Sequence, residues 1–258
     1  MVLPSANGME PVKVVAAHEV VVDQIRTAIA LGRYRPGDCL PPERVLAEFL
    51  SVSRTTVRGA VAVLVEEGLV EVKRGRNGGL FVLDTAITQA DAPAVFAQHL
   101  EELRQVFEFR VTVESACARL AAGRRTQSDL REMRRHFKAM AAMKGENGEL
   151  PSTPEGTAHY HSLDTEFHLA IARAARNPWL EQAVVTGRVE MFRPVGALFN
   201  AHDPTGDYLH DRILESIEQQ EGDAAGAFMA EHIRTTCSVV ESWVQPAPAR
   251  RRRRSGAG

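Results

Sequence analysis

Ser51–Leu83 reads SVSRTTVRGAVAVLVEEGLVEVKRGRNGGLFVL, and this stretch decides the fold. Ser53 has the chemistry of an N-cap, since its hydroxyl can accept from a free amide of a first helical turn. After it Val57, Val61, Leu64 and Val65 recur at helical spacing until Gly68 ends the run. Upstream, Pro41 and Pro42 stand where a helix starts, and Val45, Leu46, Phe49 and Leu50 supply an apolar face. The order is helix, short turn, helix. The polar face of the second helix carries Arg54, Thr55, Thr56 and Arg58 in its first turns, the end that enters the major groove in helix-turn-helix proteins. Arginine suits guanine O6 and N7 or a phosphate; threonine suits a phosphate or the thymine methyl. Leu69–Lys73 and Gly79–Leu83 then alternate around RGRNGG, which predicts a hairpin with a cationic tip. Arg74 and Arg76 on that tip can reach a minor groove or the backbone, and Gly75 permits close approach. Nearer the N-terminus, Val20, Val21, Gln24, Ile25, Ala28, Ile29 and Leu31 form a helical stripe ending at Gly32. Arg33–Arg44, RYRPGDCLPPER, reads as turns.

The 258 residues are 44% hydrophobic, enough to bury a core in one large domain or two smaller ones. No run approaches the length a membrane helix needs, and no secretory signal is apparent. Cys39, Cys117 and Cys237 are odd in number and far apart, which argues against a disulfide framework and fits a reducing, cytoplasmic setting. The net charge of −2 is uneven: +1 over residues 1–83, −1 over 84–158, −7 over 159–243 and +5 over 244–258. The acidic segment is therefore not the nucleic-acid surface. The terminal segment holds Arg250–Arg254 among Pro, Ala and Gly, and is expected to be a disordered cationic tail. Domain boundaries are expected at 12–83 for the DNA-reading part, 84–92 for a linker with turn-like composition, and 93–243 for a helical part.

Beyond the linker, apolar stripes of helical period cover residues 92–122, 128–143, 159–176, 178–199, 207–221 and 223–243, with 145–157 read as a loop. The fold class expected is mainly α: a winged helix-turn-helix followed by an all-α bundle. In the first of these stripes Leu103, Val106, Arg110, Val113, Cys117 and Leu120 share a face, placing a guanidinium among core residues. It needs a partner: Glu114 four residues on or another carboxylate of the bundle, or else a bound anion. Asp164 and His168 in DTEFH lie on one helical face, beside Leu163, Phe167 and Ile171. His210 and His232 border interior-bound faces of two further helices. A single buried histidine is most often a hydrogen-bonded core residue; three on inward faces with a carboxylate nearby suit zinc, nickel, iron or manganese.

Leu40–Val82 closely resembles the winged helix-turn-helix of the GntR family of bacterial transcription regulators. FEFRVTVESACARLAAGR, DTEFHLAIARAARNPWL and HDRILESIEQQEGDAAGAFMAEHI resemble the all-helical FCD effector domain of that family's FadR-type branch, so the likeness spans about residues 18–243. The resemblance implies DNA contacts at Arg44, Ser53, Arg54, Thr55, Thr56, Arg58, Arg74 and Gly75. Gly59 departs from the glutamate usual there and costs roughly 1 kcal/mol against alanine inside a helix. It also implies that Asp164, His168, His210 and His232 ligate one divalent ion, and that Arg110 faces the carboxylate of an effector. Retention of all four ligand positions favours a small organic acid over the fatty acyl ligands of other branch members.

The function expected is a ligand-responsive regulator, a repressor acting as a homodimer on a palindromic operator. Two other classes compete with it. A metal-dependent hydrolase needs a general base at the ion, and Glu166 faces away from Asp164. An architectural DNA-binding protein with a purely dimerising bundle leaves a buried arginine beside a metal without a task.

Overall fold

The computed structural model describes residues 16–76, 78–84, 92–145, 153–192 and 204–244. Most of the 84–92 linker, the segment from 193 to 203 and the arginine tail lie outside the described residues. The chain divides into two compact units: Gly37–Leu83 with the chain up to Ala28, and Ile29–Pro36 with everything from Asp84 onward.

The first unit contains most of α1 (Ala17–Ala30), then β1 (Cys39–Leu40), α2 (Glu43–Phe49), α3 (Arg54–Glu66), β2 (Val70–Lys73) and β3 (Gly79–Val82). The amphipathic stripe of α3 buries Val57, Ala60, Val61 and Leu64, and the sheet buries Val70, Leu80 and Val82. Strands β2 and β3 form the expected antiparallel hairpin, with Val70 opposite Val82 and Lys73 opposite Gly79. The reading of Arg33–Arg44 as turns alone is corrected. Cys39 and Leu40 pair with Phe81 and Leu80, giving a three-stranded sheet in the order β1-β3-β2. A two-residue strand between Gly37 and Pro41 is too short to show alternation.

The second unit is a helical bundle of α4 (Ala92–Arg124), α5 (Gln127–Ala142), α6 (Pro154–Ala174), α7 (Pro178–Glu190), α8 (Pro204–Glu218) and α9 (Gly222–Val244). Side-chain caps set several starts. Thr126 and Asp129 form a reciprocal capping box on α5, and Asn177 accepts from the amides of Trp179 and Leu180 on α7. Helix α6 begins inside the segment read as a loop, because Thr153 accepts from the Gly156 amide and Pro154 suits a first turn. Small residues bring α9 onto α4: a Cβ on Gly222 would stand 3.0 Å from the Arg119 carbonyl oxygen, and one on Gly226 3.1 Å from that of Ser115. Among the described residues no helix is long and apolar enough to cross a membrane.

Candidate functional site

In the first unit the predicted DNA-facing residues lie at the start of α3, at the hairpin tip and, for Arg44, on α2. Ser53 caps α3, its Oγ accepting from the Thr56 amide at 3.0 Å and lying 2.8 Å from the Thr56 hydroxyl. That contact ties Thr56 to the cap and leaves Arg54, Thr55 and Arg58 exposed on the first turns. Arg44 pairs with Glu48 at 2.7 Å, and Arg58 approaches Glu43 at 3.4 Å. Exposed pairs of this kind contribute little and give way to a phosphate. Arg74, Gly75 and Arg76 are exposed at the hairpin tip, and Gly75 has φ +110°, a conformation that favours glycine.

In the second unit five helices converge on one buried cluster. Asp164 and His168 come from α6, His210 from α8 and His232 from α9; each offers one ligand atom, and these atoms lie within 4.8 Å of one another. Asp164 Oδ1 is 3.1 Å from His210 Nε2 and 3.6 Å from His168 Nε2. The rings of His210 and His232 are 4.2 Å apart. His168 Nε2, both nitrogens of His210 and His232 Nδ1 are buried without a hydrogen-bond partner. An unsatisfied buried polar atom costs about 1–3 kcal/mol, so converging imidazole lone pairs without donors fit a cation. Three nitrogens and one carboxylate oxygen match the preferences of a divalent transition ion.

The surrounding charges hold this set in place. Helix α4 supplies Arg110, exposed to only 2%, whose Nε donates to Glu114 Oε1 at 2.6 Å while Nη1 meets the Met191 sulfur at 2.9 Å. Of the partners that the sequence left open for Arg110, Glu114 occupies Nε. Glu114 also accepts from His168 Nδ1 at 2.5 Å, which turns the Nε2 lone pair toward the cluster. Burial opposes the ionised form of Glu114, but Arg110 and His168 outweigh it and hold the carboxyl below its usual range. For His168 burial opposes protonation, yet Glu114 and Asp164 raise its pKa; His232 is pushed well down by burial and by His210 and His168.

Arg188 on α7 is the site residue that the sequence reading missed. It is exposed to 1%, and its Nη2 donates to Asp164 Oδ2 and, at 2.7 Å, to Thr165 Oγ1. Against the cost of burial, Arg188 first and His168 next keep the Asp164 carboxyl well below its usual range. The available signal was an arginine four residues after buried Val184, on the stripe that also contains Gly187. Around this rim, His161 Nε2 stands 2.8 Å from the Ala30 carbonyl oxygen, and burial and then Arg188 lower its pKa to about 4.

A winged helix-turn-helix joined to a helical bundle with a buried polar centre defines a DNA-binding regulator of the two-domain kind. Residues 17–82 match the model of the bacterial regulatory proteins of the gntR family, and residues 105–235 match the FCD domain. The Uxu operon transcriptional regulator of Escherichia coli is 35% identical over 205 residues, covering 79% of this chain and 72% of that protein. The galactonate operon transcriptional repressor of the same organism is 29% identical, with 80% and 88% covered. The solved structure of E. coli McbR/YncC superposes with a TM-score of 0.51 at 19% identity, covering 89% of this chain and 99% of that one, a likeness of fold. The chain belongs to the GntR family of transcriptional regulators and carries an FCD domain. The matched families are regulators, not enzymes, and the hydrolase reading is set aside with them.

Proposed function

We propose that this regulator is a homodimeric repressor whose operator affinity is set by a small organic acid bound at a divalent metal ion. Asp164, His168, His210 and His232 hold the ion, zinc, nickel, iron or manganese. Arg54, Thr55 and Arg58 read the major groove, with Arg44, Ser53 and Thr56 around them and Arg74 and Gly75 on the wing against the backbone. When bound, the ion supplies a Lewis-acidic position for an oxygen anion. Arg110 faces the acid through Nη1, where a thioether sulfur is a weak acceptor that a carboxylate oxygen readily replaces. One observation carries this reading: three buried imidazoles that keep nitrogens without a hydrogen bond, and one carboxylate, bring a ligand atom each to within 4.8 Å of one another. The relative named for a galactonate operon, an operon of a hydroxylated carboxylic acid, is in keeping with an acid effector. An acid changes DNA affinity only by binding the DNA-competent and DNA-incompetent conformations unequally.

The test is metal analysis of wild type and of a His210→Ala, His232→Ala double variant, followed by operator binding at fixed salt with and without candidate acids. Wild type is expected to hold one equivalent of metal and the double variant none, and at least one acid to shift wild-type DNA affinity only. A full equivalent in the double variant would refute the ligand set. Operator affinity indifferent to every acid would favour a purely architectural bundle.

A further inference from the structure

Two arginines and two carboxylates border the cluster, paired as Arg110 with Glu114 and Arg188 with Asp164. The pairs are not equivalent. Glu114 lies outside the ligand set, so no ion competes with Arg110 and the His168 ring for it. Asp164 is a ligand: with an ion bound, one carboxylate answers both the ion and Arg188. Arg188 then holds a positive charge in a buried place with only a shared counter-charge, a costly arrangement unless another anion enters. Its Nε is already a buried donor without an acceptor. Helix packing puts this guanidinium beside the other one. A Cβ at Gly187 would stand 2.9 Å from Arg110 Cγ and 3.3 Å from the Phe109 ring, so glycine is what lets α7 close onto α4 at the residue before Arg188.

Resting on the metal-centred acid site proposed above, we infer that Arg188 is a second anion-gripping side chain, whose Nε receives an oxygen of the effector's acid group once an ion shares Asp164. Arg188 thereby makes acid affinity depend on the metal by a route beyond direct coordination. Reciprocity requires the acid to tighten metal binding in turn. The ligand class is an oxygen acid small enough to lie between the cluster and α7, with a carboxylate as its anionic group.

The experiment titrates lactate, gluconate, galactonate and glucuronate into the full-length protein, zinc-loaded and chelated, by calorimetry and thermal shift, for wild type, R188M and R188K. Zinc-loaded wild type is expected to bind at least one acid, with affinity lost on chelation. R188M should bind that acid about 10- to 100-fold more weakly while holding zinc at saturating concentration. R188K keeps a cation for Asp164 but lacks the Nε donor, so it should hold zinc and still lose most of the acid affinity. If R188M does not retain zinc, R188K decides. Acid affinity in R188K equal to wild type, or in zinc-loaded R188M equal to wild type, overturns the inference and leaves the metal-centred site standing. A wild type that binds none of the four acids, or binds them equally without zinc, overturns both.

Discussion

Glu114 shows how much one side chain settles in this protein. It joins Arg110 to His168, so a single carboxylate neutralises a buried cation and fixes the tautomer of a candidate metal ligand. Glu114→Gln retains the shape but removes the charge. Metal affinity, measured by chelator competition, is expected to fall about 10- to 100-fold, the usual effect of losing such an outer partner; an unchanged affinity would remove Glu114 from this role. His161 offers a separate reading by pH. Its folded pKa of about 4 is below the ordinary value of 6.5, so the unfolded chain binds the extra proton first as pH falls. The stability of the neutral, buried state is fully present above pH 6.5 and is lost between there and about pH 4, by roughly 3 kcal/mol in total. In chelated protein the stability gap between wild type and His161→Gln, followed by urea unfolding, is expected to narrow from pH 7 to pH 4.5. A gap constant over that range would place the titration elsewhere. Residue by residue, the sequence disclosed the ligands and not the network behind them. Asp164 and His168 are legible because helical spacing alone puts them together, and Arg110 because it interrupts an apolar face. Arg188 sits on such a face too, but its partners lie 23 and 24 residues earlier on another helix, a distance no local pattern spans.

At the level of elements, α3 carries both a cost and an opportunity. Gly59 lies inside this helix, where glycine is about 1 kcal/mol worse than alanine, and a Cβ there would meet nothing closer than His18 Cβ at 3.6 Å, an ordinary contact. Gly59→Ala is therefore expected to stabilise the first unit by about 1 kcal/mol in denaturant unfolding; a destabilised variant would mean that the glycine serves another purpose. The first turns of the same helix carry the arginines proposed to contact DNA. Arg54→Ala and Arg58→Ala should each weaken operator binding by about 1–3 kcal/mol at fixed salt without loss of fold, and unchanged affinity would displace α3 from the groove. Elements were legible where they are long or capped. The stripe of α3 and the alternation of β2 and β3 exceed the noise of a single sequence, whereas β1 owes its existence to pairing with Phe81 and Leu80 and leaves no periodic trace. The start of α6 at Pro154 was hidden for a related reason: proline and glycine near Thr153 look like loop residues until the Thr153 cap gives them a helix to begin.

On the scale of the molecule, two compact units with separate cores divide the work, and charge divides with them. The segment that supplies all four candidate ligands carries −7, while the winged unit is close to neutral with arginines on its exposed helix end and hairpin tip. An ion bound at the cluster stabilises only the unit that contains it, since the ligands are assembled by α6, α8 and α9 and none lies before Leu83. At a free-metal concentration about 100 times the dissociation constant, that stabilisation is about 2.7 kcal/mol, which for a domain of this size raises the midpoint by roughly 5–10 °C. Calorimetry of zinc-loaded and chelated protein is therefore expected to show one transition moving down by that amount on chelation, and the transition assigned through Gly59→Ala to the winged unit staying in place. A common shift of both transitions would mean that the two units unfold as one cooperative body. No shift in either would leave the buried histidines as core residues without an ion.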